Sequence, residues 1–356
     1  MAAPISLARG WPAPECLPVA ELAECARGAL ERDGTTILSY GSSLGYAPLR
    51  EWAAQRHGVD ASRVFLTNGS LQGFVFLAQR LAPRKRVLVE RPTYDRPLKI
   101  LRELGAEIHA VDSDDDGLDP DALEEALRAG DPPAFLYLIP TFQNPSGKTL
   151  GLERRRRVVE LAAEHDLLVI EDDPYGLVRF EGEPLPSLHE LSGGTTAYSS
   201  SFSKTVSPGL RVGWFVLPDK LARDLEATAT GTYITPVLLG QATVYEFLQR
   251  GLFEPNLERV RGLLGARRDA MLTALERELP DLRTTRPEGG YFLWAELNGV
   301  DASELLPRAE AAGVTFVKGA DFGGEPDTLR LAYSFVSPEE IAEGVARLAA
   351  ALPAAV

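Results

Sequence analysis

The stretch Ser199-Ser200-Ser201-Phe202-Ser203-Lys204, followed seven residues later by Arg211, is the most informative part of this chain. It places one lysine among several hydroxyls, with a guanidinium just beyond. A lysine that attacks carbonyl groups needs a lowered ammonium pKa, which desolvation or nearby positive charge can produce. Hydroxyls and an arginine are groups that bind a phosphate. The stretch is therefore either a site for a phosphorylated aldehyde or a serine-rich surface loop that ends in a lysine.

The first interpretation means pyridoxal 5'-phosphate, whose pyridine nitrogen needs a facing anion to stay protonated. The apolar run 167–170 predicts a buried strand, and it leads directly into Glu171-Asp172-Asp173-Pro174-Tyr175. Open α/β sheets bind ligands at the carboxyl ends of their strands. Asp172 is therefore predicted to face the ring nitrogen, and Tyr175 the ring phenolate. An ordinary acidic turn after a strand is the alternative.

Three further segments fit the same site. The strand predicted at 134–139 leads into Asn144, whose amide could bond the ring phenolate. Ser70 opens a helical run, and a helix N-terminus binds anions through its free N–H groups. Tyr94 follows a strand and could stack on the ring. Each has a plain alternative: a turn at Asn144, a helix cap at Ser70 and a core tyrosine at Tyr94.

Together these segments resemble the fold-type I pyridoxal-phosphate enzymes, specifically the class I/II aminotransferases. The resemblance runs from about Ser6 to the C-terminus and is strongest for the branch of 2-aminoadipate (lysine-biosynthesis) aminotransferases and MocR-like proteins. It rests on six ordered blocks: YGSSLGYAPLRE (40–51), LIPTFQNPSG (138–147), EDDPY (171–175), SFSK (201–204) with PGLRVG (208–213), PEGGYFLW (287–294) and LRLAY (329–333).

The resemblance implies roles for individual residues. Lys204 would form the internal aldimine and move the proton, with Asp172 and Tyr175 as the other catalytic residues. Arg330 would bind the substrate carboxylate, with Asn144, Arg9 and Gly10 as further substrate contacts. Tyr40 would reach the phosphate of the neighbouring subunit, which implies a homodimer with shared active sites. The implied cofactor shell is Ser70, Leu71, Gln72, Tyr94, Asn144, Asp172, Tyr175, Ser201, Ser203, Lys204, Arg211 and Tyr40.

The chain departs from the family near its start. Arg9 stands where the family usually has glycine, and the helix that normally precedes this segment is not in the sequence. Arg9 is interpreted as a selector of the substrate side chain, suited to an acidic substrate, with a solvent-facing arginine as the alternative. The departure predicts an open pocket or an unusual amino donor.

The predicted fold class is α/β, the fold-type I transferase fold: a mainly parallel seven-stranded sheet flanked by helices, with a smaller α+β domain. Three regions are expected: an N-terminal segment that joins the small domain (1–35), a large cofactor-binding domain (36–250) and a small domain (251–356). Strands are predicted near 64–66, 87–90, 106–111, 134–139, 167–171, 196–200 and 211–216, alternating with helices near 71–82, 95–104, 119–129 and 152–165. A long helical region near 218–279 precedes further strands near 291–296, 314–317 and 328–333 and helices near 302–312 and 338–351.

Composition and net charge exclude several classes of partner and site. The 356 residues carry a net charge of −14, which argues against nucleic acid and anionic membranes as partners. Cys16 and Cys25 are too few for a disulfide framework, and no signal peptide precedes the first motif, so a cytoplasmic protein with reduced thiols is expected. The acidic run 112–116 is predicted to be a solvated loop rather than a metal site, and no metal is expected. The four histidines lie outside the motifs.

The leading functional prediction is an aminotransferase that moves the amino group of an L-amino acid to a 2-oxo acid, with 2-oxoglutarate as the expected acceptor. The alternative keeps the cofactor but changes the reaction to cyclisation, β/γ-replacement or oxidation, since these reactions use the same cofactor shell. A non-catalytic amino-acid sensor would need a DNA-binding domain, and no such domain is expected from this sequence.

Overall fold

The computed structural model describes residues 4–353. Its helices are α1 (Val19–Ile37), α2 (Ala47–His57), α3 (Ser70–Leu81), α4 (Asp95–Glu103), α5 (Pro120–Arg128), α6 (Leu152–Glu164), α7 (Leu188–Leu191), α8 (Asp219–Tyr233), α9 (Leu238–Gln249), α10 (Phe253–Glu278), α11 (Ala302–Ala311) and α12 (Pro338–Ala351). Its strands are β1 (Ile5–Ser6), β2 (Val64–Thr67), β3 (Arg86–Arg91), β4 (Glu107–Asp114), β5 (Gly117–Leu118), β6 (Leu136–Leu138), β7 (Val169–Asp172), β8 (Ala197–Ser201), β9 (Gly213–Val216), β10 (Arg283–Thr284), β11 (Phe292–Glu296), β12 (Val314–Thr315), β13 (Val317–Lys318) and β14 (Thr328–Ala332).

The large sheet has the order β2-β9-β8-β7-β6-β3-β4-β5. The neighbouring strands from β8 to β4 run parallel, while β9 is antiparallel to both β2 and β8. This confirms the predicted α/β class. The parallel strands all bring their carboxyl ends to one edge, where the predicted site residues follow them.

The sheet has eight strands rather than the predicted seven. The extra strand, β5, pairs with the end of β4 in a short antiparallel hairpin. The acidic run therefore is not wholly a loop: β4 continues to Asp114, and only Asp115 and Asp116 form the turn before Gly117. The sequence pattern does not reveal this part of the strand, because most of its carboxylates face water as they would in a loop.

Helices cover both faces of this sheet because its central strands are apolar on both sides. Val87 and Val89 pack into one buried cluster with α3, α4 and α8, while Leu88 between them packs into another with α5, α6 and α7. A continuous apolar run is what a strand buried on both faces needs. The strand ends are therefore fixed by packing, so the polar residues just beyond them are held in place.

The C-terminal part forms a four-stranded antiparallel sheet of order β10-β11-β14-β13, whose buried residues share one apolar cluster with those of α10 and α12. The long helical region predicted at 218–279 is three helices, α8, α9 and α10. The N-terminal strand β1 pairs with β12, with Ile5 opposite Val314. The domain boundaries at 35 and 250 stay a prediction. Within residues 4–353, no helix is both long and apolar enough to cross a membrane.

Candidate active site

A cavity of about 980 Å³ opens at the carboxyl edge of the large sheet. Strands β6, β7 and β8 end in its floor, and the N-terminus of α3 points towards it. The segment Ala8–Trp11 and residues of the C-terminal sheet close its other side. Predicted site residues on its wall are Arg9, Gly10, Ser70, Leu71, Tyr94, Asn144, Asp172, Tyr175, Ser201, Ser203, Lys204, Arg211 and Arg330.

Lys204 lies just after β8 and is half-buried in this cavity. Its Nζ donates a hydrogen bond of 3.0 Å to the carbonyl oxygen of Gly10. Burial, helped by the positive charges of Arg330 and Arg211 and opposed by Asp172, lowers the pKa of Lys204 to about 8. The side chain therefore has the property that the sequence required, an appreciable neutral population near neutral pH.

This pKa gives a testable pH dependence. Only the neutral amine attacks an aldehyde, so in cofactor-free protein the rate of covalent cofactor attachment should rise with pH and level off above about pH 8. Removing the charge of Arg330 with Arg330→Met should move the midpoint upwards, since a positive neighbour is lost. Stopped-flow absorbance across the neutral and alkaline range measures both midpoints. A midpoint near the ordinary lysine value in the unaltered protein would contradict the prediction.

Asp172 is the last residue of β7 and lies beneath the same cavity. Its carboxylate accepts hydrogen bonds from the Tyr137 hydroxyl at 2.8 Å and the Ser199 hydroxyl at 3.1 Å. Burial raises the pKa of Asp172 to about 6, which these two hydrogen bonds oppose. Such a carboxylate gains most from a positive ligand atom, because a facing cation restores the solvation that burial removes.

Tyr175 and Tyr94 line the cavity near Asp172. Tyr175 is buried, and burial raises its hydroxyl pKa. Tyr94 directly precedes α4, and burial raises its pKa to about 12. Both hydroxyls therefore stay protonated and can donate hydrogen bonds.

Another part of the cavity wall carries groups that bind an anion. Ser70 begins α3, where the first N–H groups have no helical partner. The Ser201 and Ser203 hydroxyls lie 2.8 Å apart, and Arg211, which donates to the Asn68 carbonyl, lines the same cavity. Gly69, at φ +87°, lies so close that a Cβ there would be 2.2 Å from the Arg211 guanidinium. Only glycine lets the loop and the arginine share this end of the cavity.

Two members of the predicted cofactor shell do not reach the cavity of this chain. The side chain of Gln72 turns back to accept a hydrogen bond from the Asn68 N–H, and its own backbone N–H donates to the Gly69 carbonyl. Gln72 thus supports the loop at the start of α3, and its predicted contact with the cofactor phosphate stays a prediction. Tyr40 is 82% exposed and lies outside the cavity, so any role in a site would be in another subunit.

Arg330 is buried in β14 and reaches the cavity beside Asn144. Its guanidinium donates to Asn144 Oδ1 at 2.8 Å and to the Ala8 carbonyl at 2.9 Å, while its Nε has no partner. Across residues 4–353 no carboxylate lies within 4 Å of it. Burial lowers the pKa of Arg330 to about 10, so the group stays charged at neutral pH.

Arg9 and Gly10 lie at the rim. Arg9 is exposed, and its guanidinium carbon lies 5.5 Å from the Trp11 ring centroid and 5.1 Å from that of Phe335. It lines the cavity, so it is not directed wholly to bulk solvent. Gly10 is pressed against Phe292: a Cβ there would be 2.5 Å from Phe292 Cζ. The small residue at position 10 is therefore needed by packing.

Sequence reasoning missed several residues of the site. Tyr137 and Ser199 hold Asp172, and the rings of Phe292 and Phe322 lie close to Arg330. Ser199 was within the decisive stretch, but its partner was not evident. Tyr137 carried one available signal: it is the single hydroxyl-bearing side chain in an apolar strand that ends at the site.

The residues present fit pyridoxal phosphate. The cavity wall carries an anion site, a carboxylate and an amine, which are the three groups that this molecule needs. Its phosphate would lie at Ser70, Ser201, Ser203 and Arg211, and its ring nitrogen near Asp172. In the part of the chain that the structure describes, no group of three or more potential ligand side chains could hold a metal ion.

This combination of a fold-type I sheet and a lysine–aspartate–phosphate site defines a class of pyridoxal-phosphate enzymes. Residues 7–348 match the family "Aminotransferase class I and II", and the chain belongs to this family. It is 42% identical to 2-aminoadipate transaminase of Thermus thermophilus (98% of this chain, 90% of the relative). It is 36% identical to aromatic-amino-acid aminotransferase 1 of Thermococcus litoralis (97% and 87%).

A solved structure supports the same family assignment. Alpha-aminoadipate aminotransferase from Thermus thermophilus, complexed with N-(5'-phosphopyridoxyl)-L-leucine, superimposes with a TM-score of 0.93 at 40% identity, over 98% of this chain and 92% of that one. The protein is thus a pyridoxal-phosphate-dependent aminotransferase that acts on an amino acid and a 2-oxo acid. The other reactions considered for this cofactor shell find no support among these relatives.

Proposed function

We propose that this enzyme transfers the amino group of an L-amino acid to 2-oxoglutarate, with the substrate α-carboxylate bound to Arg330. The proposal rests on the surroundings of the Arg330 guanidinium. A buried guanidinium without a carboxylate partner in the described chain is costly. A substrate carboxylate would supply the missing anion in a bidentate geometry that suits arginine.

The cofactor-shell roles carried over from the family are part of this proposal. Bound pyridoxal phosphate supplies an electron sink next to the substrate α-carbon. Lys204 holds the cofactor and then moves a proton at that carbon, for which a pKa of about 8 is well matched. Asp172 holds the ring nitrogen in its charged form. Tyr175 and Asn144 bond the ring phenolate, and Tyr94 stacks on the ring.

Arg9 is proposed to select the distal group of the substrate. It lines the cavity rim, and among residues 4–353 no carboxylate within 4 Å pairs with it. Arg96, Lys99 and Arg102 on α4 line the same cavity and, with Arg9, outnumber the carboxylates Asp95 and Asp321 that also line it. In a chain of net charge −14 this local positive rim favours a dicarboxylic acceptor such as 2-oxoglutarate over a neutral one such as pyruvate.

Two variants separate the carboxylate clamp from the selector. Arg330→Ala should raise KM for 2-oxoglutarate and pyruvate alike, by about 100-fold or more, because both carry the α-carboxylate. Arg9→Gly should raise KM for 2-oxoglutarate by about fivefold, since exposed charge pairs are weak, and leave pyruvate unchanged. Initial rates with a fixed amino donor measure both effects.

The KM values of the two variants for the two acceptors control for each other. Equal losses for the two acceptors in Arg9→Gly would show that Arg9 does not read the distal carboxylate. Normal KM values in Arg330→Ala would remove Arg330 from α-carboxylate binding, whatever the outcome at Arg9.

We further propose a homodimer with shared sites. Leu38, Tyr40, Ile234 and Val237 are exposed apolar residues, and the segments that carry them lie side by side, since the Tyr233 hydroxyl donates to the Ser43 carbonyl. The Val237 N–H donates to the side-chain oxygen of Asn68, and the backbone carbonyl of Asn68 accepts from Arg211. This apolar surface therefore borders the phosphate end of the cavity, where Tyr40 of a second copy could reach. A cytoplasmic location belongs to the same proposal.

Tyr40→Phe tests the shared site. Loss of one hydrogen bond to a charged phosphate should weaken cofactor retention by about 10-fold, with the dimer intact. Cofactor dissociation is measured by dialysis and absorbance, and mass by light scattering, with Tyr245→Phe as a matched control outside the cavity. A fully active monomer, or unchanged retention in a proven dimer, would refute the role of Tyr40.

A further inference from the structure

Phe322 contacts the substrate end of the cavity in two ways. Its ring centroid lies 4.8 Å from the guanidinium carbon of Arg330, and its carbonyl oxygen accepts a hydrogen bond of 3.0 Å from the Thr93 N–H. Thr93 directly precedes Tyr94, which lines the cofactor part of the cavity. One residue thus contacts the buried cation on one side and the tyrosine segment on the other.

These contacts belong to a closed circuit. Arg330 donates to Asn144, and the preceding residue, Gln143, donates from its side chain to the Pro92 carbonyl at 2.7 Å. Pro92 adjoins Thr93, which donates to Phe322, and the Phe322 ring returns to Arg330. The circuit joins the segments around 92–94 and 143–144 to residues 322 and 330 in the C-terminal part of the chain.

The ring of Phe322 attracts and orients the Arg330 guanidinium. Arg330 is a buried charge held by two neutral acceptors, with its Nε unpartnered. An aromatic face attracts a desolvated guanidinium and restricts its orientation. Phe292 also lies close, at 4.1 Å, but it is fixed in β11 and packs against Gly10. Of these two aromatic residues, Phe322 is the one that is hydrogen-bonded to the Tyr94 segment.

We propose that Phe322 is a positioning residue that couples the binding of the substrate carboxylate at Arg330 to the placement of the cofactor ring beside Tyr94. The inference rests on the proposed role of Arg330. When a carboxylate engages the guanidinium, any adjustment of Arg330 is passed through the Phe322 ring and carbonyl to Thr93 and Tyr94. By reciprocity, a correctly placed cofactor strengthens carboxylate binding.

The test uses the cofactor-loaded enzyme and two unreactive probes, 4-methylpentanoate and 4-methylpentanamide, which differ in the carboxylate. Calorimetry gives their dissociation constants, and visible circular dichroism reports the placement of the bound cofactor ring. The unaltered enzyme should bind the carboxylate at least about 10-fold more tightly than the amide, and the carboxylate should change the cofactor dichroism.

Phe322→Leu keeps the apolar volume and the backbone carbonyl but removes the aromatic face. The carboxylate preference should fall by about 10-fold, and the dichroism change on carboxylate binding should largely disappear. Phe292→Leu is the matched control: it also removes a ring near Arg330, yet the dichroism change should persist. If Phe322→Leu folds poorly, Phe322→Met provides the same test.

The results that would contradict the coupling can be told apart from the result that would contradict the role of Arg330. A Phe322→Leu enzyme with the original preference and dichroism change would overturn the coupling. Equal weakening of acid and amide would also overturn it, because that is the signature of a purely structural role. An unaltered enzyme without any carboxylate preference would instead refute the proposed role of Arg330, and the inference would fall with it.

Discussion

Lys204→Ala should lower kcat/KM for transamination by at least about 10⁴-fold, because one substitution removes both the covalent anchor of the cofactor and the proton-transfer group. The fold should survive. The Nζ makes one hydrogen bond, to the Gly10 carbonyl, and the ammonium is held in a cavity that lowers its pKa. Its loss removes a desolvated charge and that charge's contacts with the rings of Tyr175 and Tyr291, which stay packed against each other.

The measurement has two parts. Steady-state kinetics gives the loss of activity, and borohydride reduction followed by mass spectrometry shows whether the cofactor is attached to the peptide that contains residue 204. Lys148→Ala is the control, because Lys148 lies on the separate surface near Asp114 and Asp115. Substantial activity in Lys204→Ala, with the cofactor attached elsewhere, would exclude Lys204 as the catalytic lysine.

Two residues of the site were predictable because they follow strands of a parallel sheet. Asp172 and Asn144 both follow predicted parallel strands, and such strands end at the same edge. The structure brings both side chains to the wall of the same cavity. Lys204 was predictable for a different reason, because the hydroxyls around it and Arg211 beyond it are groups that bind a phosphate beside a reactive amine.

Other parts depend on contacts between distant segments, which no local pattern records. Tyr137 and Asp172 are 35 positions apart and meet because β6 and β7 are neighbours in register. Phe322 comes to Arg330 through the 3₁₀ turn Gly319–Phe322, and nothing near position 322 indicates that turn's partner. The hydrogen bond from the Asn68 N–H to the Gln72 side chain likewise has no signal in the sequence.

Helix α2 and strand β5 are among the elements that were not predicted, because they lack a local signal. Helix α2 mixes polar residues with small apolar ones and fully buries only Leu49, Ala53 and Ala54, so its apolar stripe is too narrow for a periodicity argument. Strand β5 has two residues and exists because the turn at Asp115 and Asp116 folds it back on β4. Elements of this kind are defined by their neighbours.

Asp172→Asn should lower kcat by about 10²–10³-fold, because the neutral amide cannot stabilise a positive charge on the ring nitrogen of the cofactor. The substitution is nearly isosteric, and the amide can keep its contacts with the Tyr137 and Ser199 hydroxyls by reorienting them. KM should change little, since Asp172 lies in the cavity floor and away from the carboxylate clamp. The expected pattern is thus a loss confined to kcat.

The neighbouring carboxylate provides a demanding control. Asp173 is partly buried beside Asp172, accepts from the Tyr198 hydroxyl at 3.0 Å and from the Gly176 N–H at 2.8 Å, and does not line the cavity. Asp173→Asn should therefore lower the melting temperature while leaving kcat within a few-fold of normal. Kinetics and thermal unfolding on both variants separate the two carboxylates.

The absorption spectrum supplies the decisive comparison between these aspartates. If Asp172 holds the ring nitrogen in its charged form, Asp172→Asn alone should shift the visible band of the bound cofactor, and the shift should not depend on thermal stability. Burial raises the pKa of Asp172 to about 6 before any cation faces it, so a bound ring nitrogen that is positive should pull this pKa down. The visible band of the bound cofactor in the unaltered enzyme should consequently stay unchanged as the pH falls through about 6. If the band instead shifted near that pH to the position seen in the Asp172→Asn variant, the carboxylate would lack its cation, and the proposed pairing would be wrong.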